Sequence, residues 1–412
     1  MSGLKLLHTS DWHLGRLLYG KKRYAEFEAF LDWLAATIDA QAVDVLLVAG
    51  DVFDTQTPSN RAQALYYRFL CRIAASRCRH VVVIAGNHDS PSFLDAPREL
   101  LHALDVHVIG QARAAPQDEV LLLSDSQGRP ELIVCAVPYL RDRDIRIAEA
   151  GESLEDKERK LLAGIKAHYA AVGAAAEAMR AAVGLDLPIV GMGHLFAAGG
   201  QTVDGDGVRE LYVGSLAHVT GGIFPDSFDY LALGHLHVPQ KVGGAETRRY
   251  SGSPIAMGFG EAGQRKSVCL VRFAGHAATV TLEPVPVFQA LQRLRGDWNG
   301  LCRRLQDLEA AGSQAWLEVV YESEQPMGDL RERLDAAVAG SGMEILRVSD
   351  ARMIARVLSE LHAGETLDDL DPHQVFERCM AAHGVPDDQR PALVSAYRET
   401  LLSLHQDDPR AD

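Results

Sequence analysis

Val48-Ala49-Gly50-Asp51-Val52-Phe53-Asp54 closes an apolar run that begins at Val43. Such a run, rich in β-branched residues, reads as a buried strand. The small residue, glycine and carboxylate that follow put Asp51 just past its carboxyl end, where open α/β sheets hold their ligands. One aspartate in that place is an ordinary way to turn a strand. The weight lies in how often the same grammar recurs.

Working outward, residues 4–7 form an apolar strand that runs into Ser10-Asp11-Trp12-His13. On extended backbone, residues two apart point to the same side, so Asp11 and His13 can converge on one ion. Residues 81–85 end in Gly86-Asn87-His88-Asp89, residues 188–192 in Gly193-His194, and residues 230–233 in Gly234-His235-Leu236-His237. Between the strands, apolar periodicity predicts helices over 24–40 and 60–75 and an alanine-rich helical stretch over 154–183. Further strands are expected at 119–123, 131–137 and 268–273, and 199–207 reads as a mobile Gly/Asp loop. Strands alternating with helices make this an α/β chain.

The polar residues at these strand ends are Asp11, His13, Asp51, Asn87, His88, His194, His235 and His237. None is a cysteine, so these residues do not make the thiolate-bound type of structural zinc site. Carboxylate, carboxamide and imidazole together suit manganese, iron or zinc at five or six coordinates. More ligands converge than one ion takes. Two ions about 4 Å apart clamp the attacking and leaving oxygens of a phosphoryl displacement. Such a pair needs a shared ligand, and the central carboxylate of Asp51 is the natural bridge.

The chain has 412 residues, which predicts two or three domains. No apolar run reaches the length of a membrane span. The first strand begins almost at once, so no signal peptide is expected. The cysteines Cys71, Cys78, Cys135, Cys269, Cys302 and Cys379 form no CxxC pair and read as reduced thiols of a cytoplasmic protein. A net charge of -15, taken alone, argues against a nucleic-acid partner, because phosphate binding needs positive charge, although metal ligands inflate the acidic count. Two basic clusters lie near proposed site loops, Arg16/Lys21/Lys22/Arg23 and Arg141/Arg143/Arg146; each reads as a solvated face or a phosphate contact.

Asp-x-His, Gly-Asp-x-x-Asp, Gly-Asn-His-Asp, Gly-His and Gly-His-x-His, in this order, resemble the calcineurin-like metallophosphoesterase superfamily. Ser10 to Gly15, Gly50 to Asp54, Ala232 to His237 and Ser251-Gly252-Ser253-Pro254 resemble, more closely, its SbcD family of bacterial nuclease subunits. The likeness is strong to about residue 278 and rests on layout beyond it. It implies a two-sheet α/β sandwich over 1–278, a small α/β capping domain over 279–350 that restricts DNA access, and C-terminal helices over 351–412. Within the cap, strands are expected at 287–291, 316–321 and 343–348, with helices at 297–310 and 328–338.

The resemblance also divides the ligands. Asp11, His13, Asp51 and His237 would hold a first divalent ion, and Asp51, Asn87, His194 and His235 a second, with Mn2+ favoured over Mg2+, Fe2+ or Zn2+. His88 would act on the scissile phosphate and leaving oxygen, with Asp89 orienting its ring. Asp54 either orients a ligand or caps the next helix. The implied activity is 3′–5′ exonuclease and endonuclease action on DNA double-strand ends, hairpins and single strands. The implied partners are a coiled-coil SbcC-type ATPase, docked by the C-terminal helices, and a second copy of the chain. The implied location is the cytoplasm, at the nucleoid. A metallophosphoesterase acting on a small phosphodiester or a phosphoprotein is the alternative.

Overall fold

The computed structural model describes residues 3–146, 152–197, 221–323 and 327–350, with isolated positions between 376 and 397. The chain forms two compact units, Met1–Phe288 and Gln289–Asp412.

The first unit begins with β1 (Lys5–Thr9), a short ribbon of β2 (Leu17–Leu18) and β3 (Lys21–Lys22), α1 (Tyr24–Gln41) and β4 (Val45–Ala49). There follow α2 (Asn60–Ala74), β5 (His80–Ile84), the short helices α3 (Pro91–Asp95) and α4 (Arg98–His102), and β6 (Val106–Ile109). The hairpin β7 (Val120–Ser124) and β8 (Pro130–Ala136) leads through α5 (Asp142–Ile145) to the long α6 (Leu154–Val183). Then come β9 (Ile189–His194), β10 (Tyr230–Gly234), β11 (Gln240–Val242), β12 (Ala245–Tyr250), β13 (Ser267–Ala274) and β14 (Ala277–Pro284).

These strands make two six-stranded sheets, ordered β14-β13-β1-β4-β5-β6 and β11-β12-β10-β9-β8-β7. In each, four neighbouring strands point one way: β1, β4 and β5 with β6, and β12, β10 and β9 with β8. Leu6, Leu47, Val82 and Ile84 of the first sheet pack in one core with Val134, Val190, Met192 and Ala232 of the second. The outer face of the first sheet buries Phe27, Phe30, Leu34 and Ile38 of α1 and Phe69, Leu70 and Ile73 of α2. That of the second buries Leu161, Ile165, Tyr169, Val172 and Ala176, one helical face of α6. The expected two-sheet sandwich is the fold. Strands buried on both faces explain why the central runs carry no polar alternation.

The second unit holds β15 (Leu291–Gly296), α7 (Trp298–Ala310), β16 (Trp316–Tyr321), α8 (Leu330–Val338) and β17 (Glu344–Asp350). Its three strands are parallel, in sequence order. Two details differ from the sequence reading. The first strand of this unit starts at Leu291 rather than at 287, and Val287 is exposed. The 278/279 boundary falls inside β14, which pairs along the whole of β13, and the units part at Phe288 and Gln289 instead. The loop at 199–207 and almost all of 351–412 lie outside the described residues. Among the described residues, no helix is long and apolar enough to cross a membrane, and the five described cysteines are unpaired.

Candidate metal centre

The loops after β1, β4, β5 and β10, with the last residue of β9, meet at one end of the sandwich. Backbone bonds lace them together: the amide of Asp11 donates to Gly50 O (3.0 Å), and that of His13 to Asp51 O (3.0 Å). Asp11, His13, Asp51 and His235 all have left-handed backbone, with φ of 54°, 47°, 50° and 104°. Each such non-glycine residue costs of order 1–3 kcal/mol and persists where the surroundings impose it. Asp11 and His13 therefore do not converge by strand alternation, as expected from the sequence. They converge because the chain has left the strand and coils leftward. The approach of the loops is close: a Cβ on Gly86 would lie 2.1 Å from Asp51 Oδ1, so only glycine fits there.

Three overlapping groups of potential ligands result. Asp11, His13 and His237 converge, so do Asp51, His194 and His235, and His13, Asp51 and His88 form a third between them, each group's donor atoms lying within 4.8 Å of one another. Asn87 joins the second group, its Oδ1 3.0 Å from His194 Nε2 and 2.9 Å from His235 Nδ1. Asp51 stands between the groups. Its Oδ2 lies 3.2 Å from His194 Nε2 and 3.7 Å from His13 Nε2, while its Oδ1 accepts the His88 amide at 2.8 Å.

The donor set fits divalent ions. Asp11, His13, Asp51, His194 and His237 are buried, and buried charge must be paired or coordinate metal. The Nε2 atoms of His13 and His237 face each other at 3.1 Å. Nδ1 of His194 points at a carbonyl, Ala49 O (2.9 Å), and so must donate; its Nε2 then turns a lone pair toward Asp51 and Asn87 oxygens. Lone pairs face lone pairs unless a proton or a cation lies between them. Ligands about 2.1 Å from an ion sit about 3 Å apart at right angles, close to the spacing here.

Burial pulls His194 down, but Asp51 and Asp11 outweigh it and raise it to about 9. Burial pushes Asp51 up, yet His194 and His13 hold it well below the usual carboxylate range. His235, buried beside His194, drops to about 3.

Behind these residues stands a supporting layer. Asp54 Oδ1 lies 3.2 Å from His13 Nδ1 and 3.1 Å from Arg16 Nη1, whereas the cap of α2 is Ser59. Of the two readings for Asp54, the geometry carries the orienting one. Burial raises the Asp54 carboxyl, but His13 and Arg16 outweigh it and bring it to about 2. Asp54→Asn is accordingly expected to weaken ion binding at the His13 group by about 10–100-fold. Mn2+ titration checks this, and unchanged affinity would remove Asp54 from the centre.

Glu261 lies in the matching place behind His237, its Oε1 3.6 Å from Nδ1 and beyond hydrogen-bond distance, and pairs with the buried Lys266. The sequence reading missed both. Nothing near Glu261 in sequence marks it.

Asp89 requires a correction. Its carboxylate accepts the amides of Gly86 (2.8 Å), Phe53 (2.9 Å) and Val52 (3.1 Å), so it clasps two site loops rather than orienting the His88 ring. Burial and the Asp51 charge raise it to about 6 against those donors. The His88 ring is instead held by Asp54 O, 2.8 Å from Nδ1. A carbonyl only accepts, so Nδ1 carries the hydrogen and Nε2 is left for chemistry. Of the basic clusters, Arg23 is buried against Glu26 and Arg146 pairs with Asp142 and Glu152, which removes both from any phosphate-binding face.

Comparison with known proteins bears on this geometry. Residues 4–150 match the calcineurin-like phosphoesterase family, and residues 287–384 the type 5 capsule protein repressor C-terminal domain, SbcD_C. The SbcD component of nuclease SbcCD from Escherichia coli K12 is 36% identical over 404 residues, 97% of this chain and 98% of that one. The chain belongs to the SbcD family of SbcCD nucleases. SbcD of Rhodobacter capsulatus is 34% identical, over 85% of this chain and 90% of its own. That of Bacillus subtilis is 36% identical, over 65% and 66%. Membership in the SbcD family makes the chain a metal-dependent phosphodiesterase, and the converging aspartates and histidines are compatible with the divalent-metal binding that the family implies.

Proposed function

We propose that the chain is the nuclease subunit of an SbcCD-type complex and cleaves DNA with two divalent ions, Mn2+ in the first place. The observation that carries this is the position of Asp51 Oδ2 between the two ligand groups. Asp11, His13, Asp51 and His237 would hold one ion, and Asp51, Asn87, His194 and His235 the other. Bound there, such ions would supply a water of lowered pKa and charge to stabilise a phosphoryl displacement.

The chain's own residues supply the rest. Asp54 and Glu261 place a carboxylate behind the His13 and His237 rings, 3.2 Å and 3.6 Å from their Nδ1 atoms. Asp89 keeps the loops after β4 and β5 in register. His88, its Nδ1 committed to Asp54 O, presents Nε2 to protonate the departing 3′-oxygen. The substrates are DNA double-strand ends, hairpins and single strands, cut as a 3′–5′ exonuclease and an endonuclease. The second unit restricts access to the site. Residues 351–412 dock on an SbcC-type ATPase, and two copies of the chain complete a heterotetramer at the nucleoid.

Co-purification with the ATPase, followed by assay with Mn2+ with and without ATP, tests the reading. Linear duplex DNA should be degraded by the complex, with bis-p-nitrophenyl phosphate a poor substrate. The reverse preference would favour a small-phosphodiester enzyme. Deleting 351–412 should leave both ions bound and abolish co-elution with the ATPase. Wild-type affinity in the truncated chain would place the docking surface elsewhere.

A further inference from the structure

A second set of metal-compatible side chains lies at the opposite end of β5. His80 opens that strand, and Asp105 and His107 flank the start of β6 beside it. Their donor atoms lie within 4.8 Å of one another, with His80 Nδ1 3.9 Å from Asp105 Oδ1. The length of β5, about 15 Å, separates them from the Asn87 loop.

Two of the three are prepared as ligands. His80 Nε2 meets Ser124 O at 2.8 Å, and a carbonyl only accepts. The hydrogen is therefore on Nε2, and Nδ1 turns a lone pair toward Asp105 and His107. This is the arrangement that metal-bound histidines adopt, one nitrogen tied to a carbonyl and the other free. His80 Nδ1 and His107 Nε2 are both buried and have no hydrogen-bond partner, which is costly for a polar atom unless something occupies the gap. The cluster borders a cleft of about 340 Å³ lined by His102, His107, Arg113 and Asp118.

We propose that His80 Nδ1, His107 Nε2 and Asp105 bind one transition-metal ion of the Zn2+ class, distinct from the nuclease ions. Two imidazoles and a carboxylate without thiolate suit Zn2+, Ni2+ or Cu2+, and are poor for Mg2+ or Ca2+. With bonds of about 2.05 Å at tetrahedral angles, the donors must stand about 3.3 Å apart. The 3.9 Å between His80 and Asp105 is wider than that, and the exposed Asp105 side chain has room to swing inward. Asp105 sits at φ 56°, so its place in the turn is fixed while its carboxylate is not. Ser124 belongs to β7, the edge of the other sheet, as β6 is the edge of the first. The ion would tie β5 to the edge strand β6, while the His80 ring stays bonded to β7 through Ser124 O, and would stabilise the folded chain by mass action.

The test is Zn2+ binding to the full chain carrying Asp51→Asn, which disables the nuclease centre, with and without His107→Leu. The first protein should bind one Zn2+ and unfold at a higher temperature with it. Adding His107→Leu should abolish both effects. In an otherwise wild-type chain, His107→Leu should leave Mn2+-dependent nuclease activity within about twofold, which also shows that it folds. Should His107→Leu not fold, Asp105→Asn decides: asparagine tolerates the left-handed backbone, and Zn2+ affinity should fall at least about tenfold. Equal Zn2+ stoichiometry and affinity with and without these changes would overturn the site.

Discussion

Asp51→Asn is expected to empty both metal positions and to lower Mn2+-dependent phosphodiester cleavage by about 10⁴-fold or more. The reason lies in how the two carboxylate oxygens are engaged. Oδ2 faces both ligand groups, and Oδ1 accepts the His88 amide. Asparagine can meet only one of these demands. With its oxygen toward the ions, its NH2 opposes the His88 N–H, donor against donor. With its oxygen toward His88, its NH2 faces the ions. In either orientation the negative charge shared by two cations is gone. A loss of about 10⁴ corresponds to about 5.5 kcal/mol of barrier, a fair share of what Lewis-acid activation supplies. Elemental analysis gives the direct reading, and two ions per chain in the variant would refute the bridge.

His88→Asn should separate chemistry from metal binding. It is expected to keep both ions and DNA affinity while cutting cleavage by about 10²–10⁴-fold, the usual range for general acid catalysis. The ring lies edge-on to His13, centroids 4.8 Å apart, and its donor atom groups with those of His13 and Asp51. It is therefore near enough to the first ion for a ligand role to be a real competitor. His235→Asn is the control, because it should lower occupancy of the second ion along with rate. If His88→Asn loses an ion as His235→Asn does, His88 is a ligand. If it keeps full activity, the proton-donor role fails.

Much of this centre was legible in the sequence because long apolar strands ended abruptly in glycine and a polar residue. Asp51, His194 and His235 could be placed at strand ends by that contrast alone. The route by which Asp11 and His13 converge was not legible, because left-handed backbone at non-glycine residues is imposed by the neighbouring loop. Asp89 was misread for a similar reason. The resemblance implied that it orients the His88 ring, whereas the close approach of two loops gave its carboxylate three amides to satisfy. Glu261 is brought to His237 by a turn 24 residues downstream, and local pattern carries no trace of it. β6 escaped notice because it has only four residues, one of them His107. The β11–β12 ribbon is likewise short, with mixed polarity.

Two ions at this centre would need a ligand in common, and Asp51 is the residue placed to be shared. Electron paramagnetic resonance of the Mn2+-loaded chain tests this most directly. Ions about 4 Å apart and bridged by Asp51 should give the broad multiline spectrum of a spin-coupled manganese pair, and Asp51→Asn should abolish it. A six-line spectrum of isolated Mn2+ in the fully loaded wild-type chain would contradict the bridge.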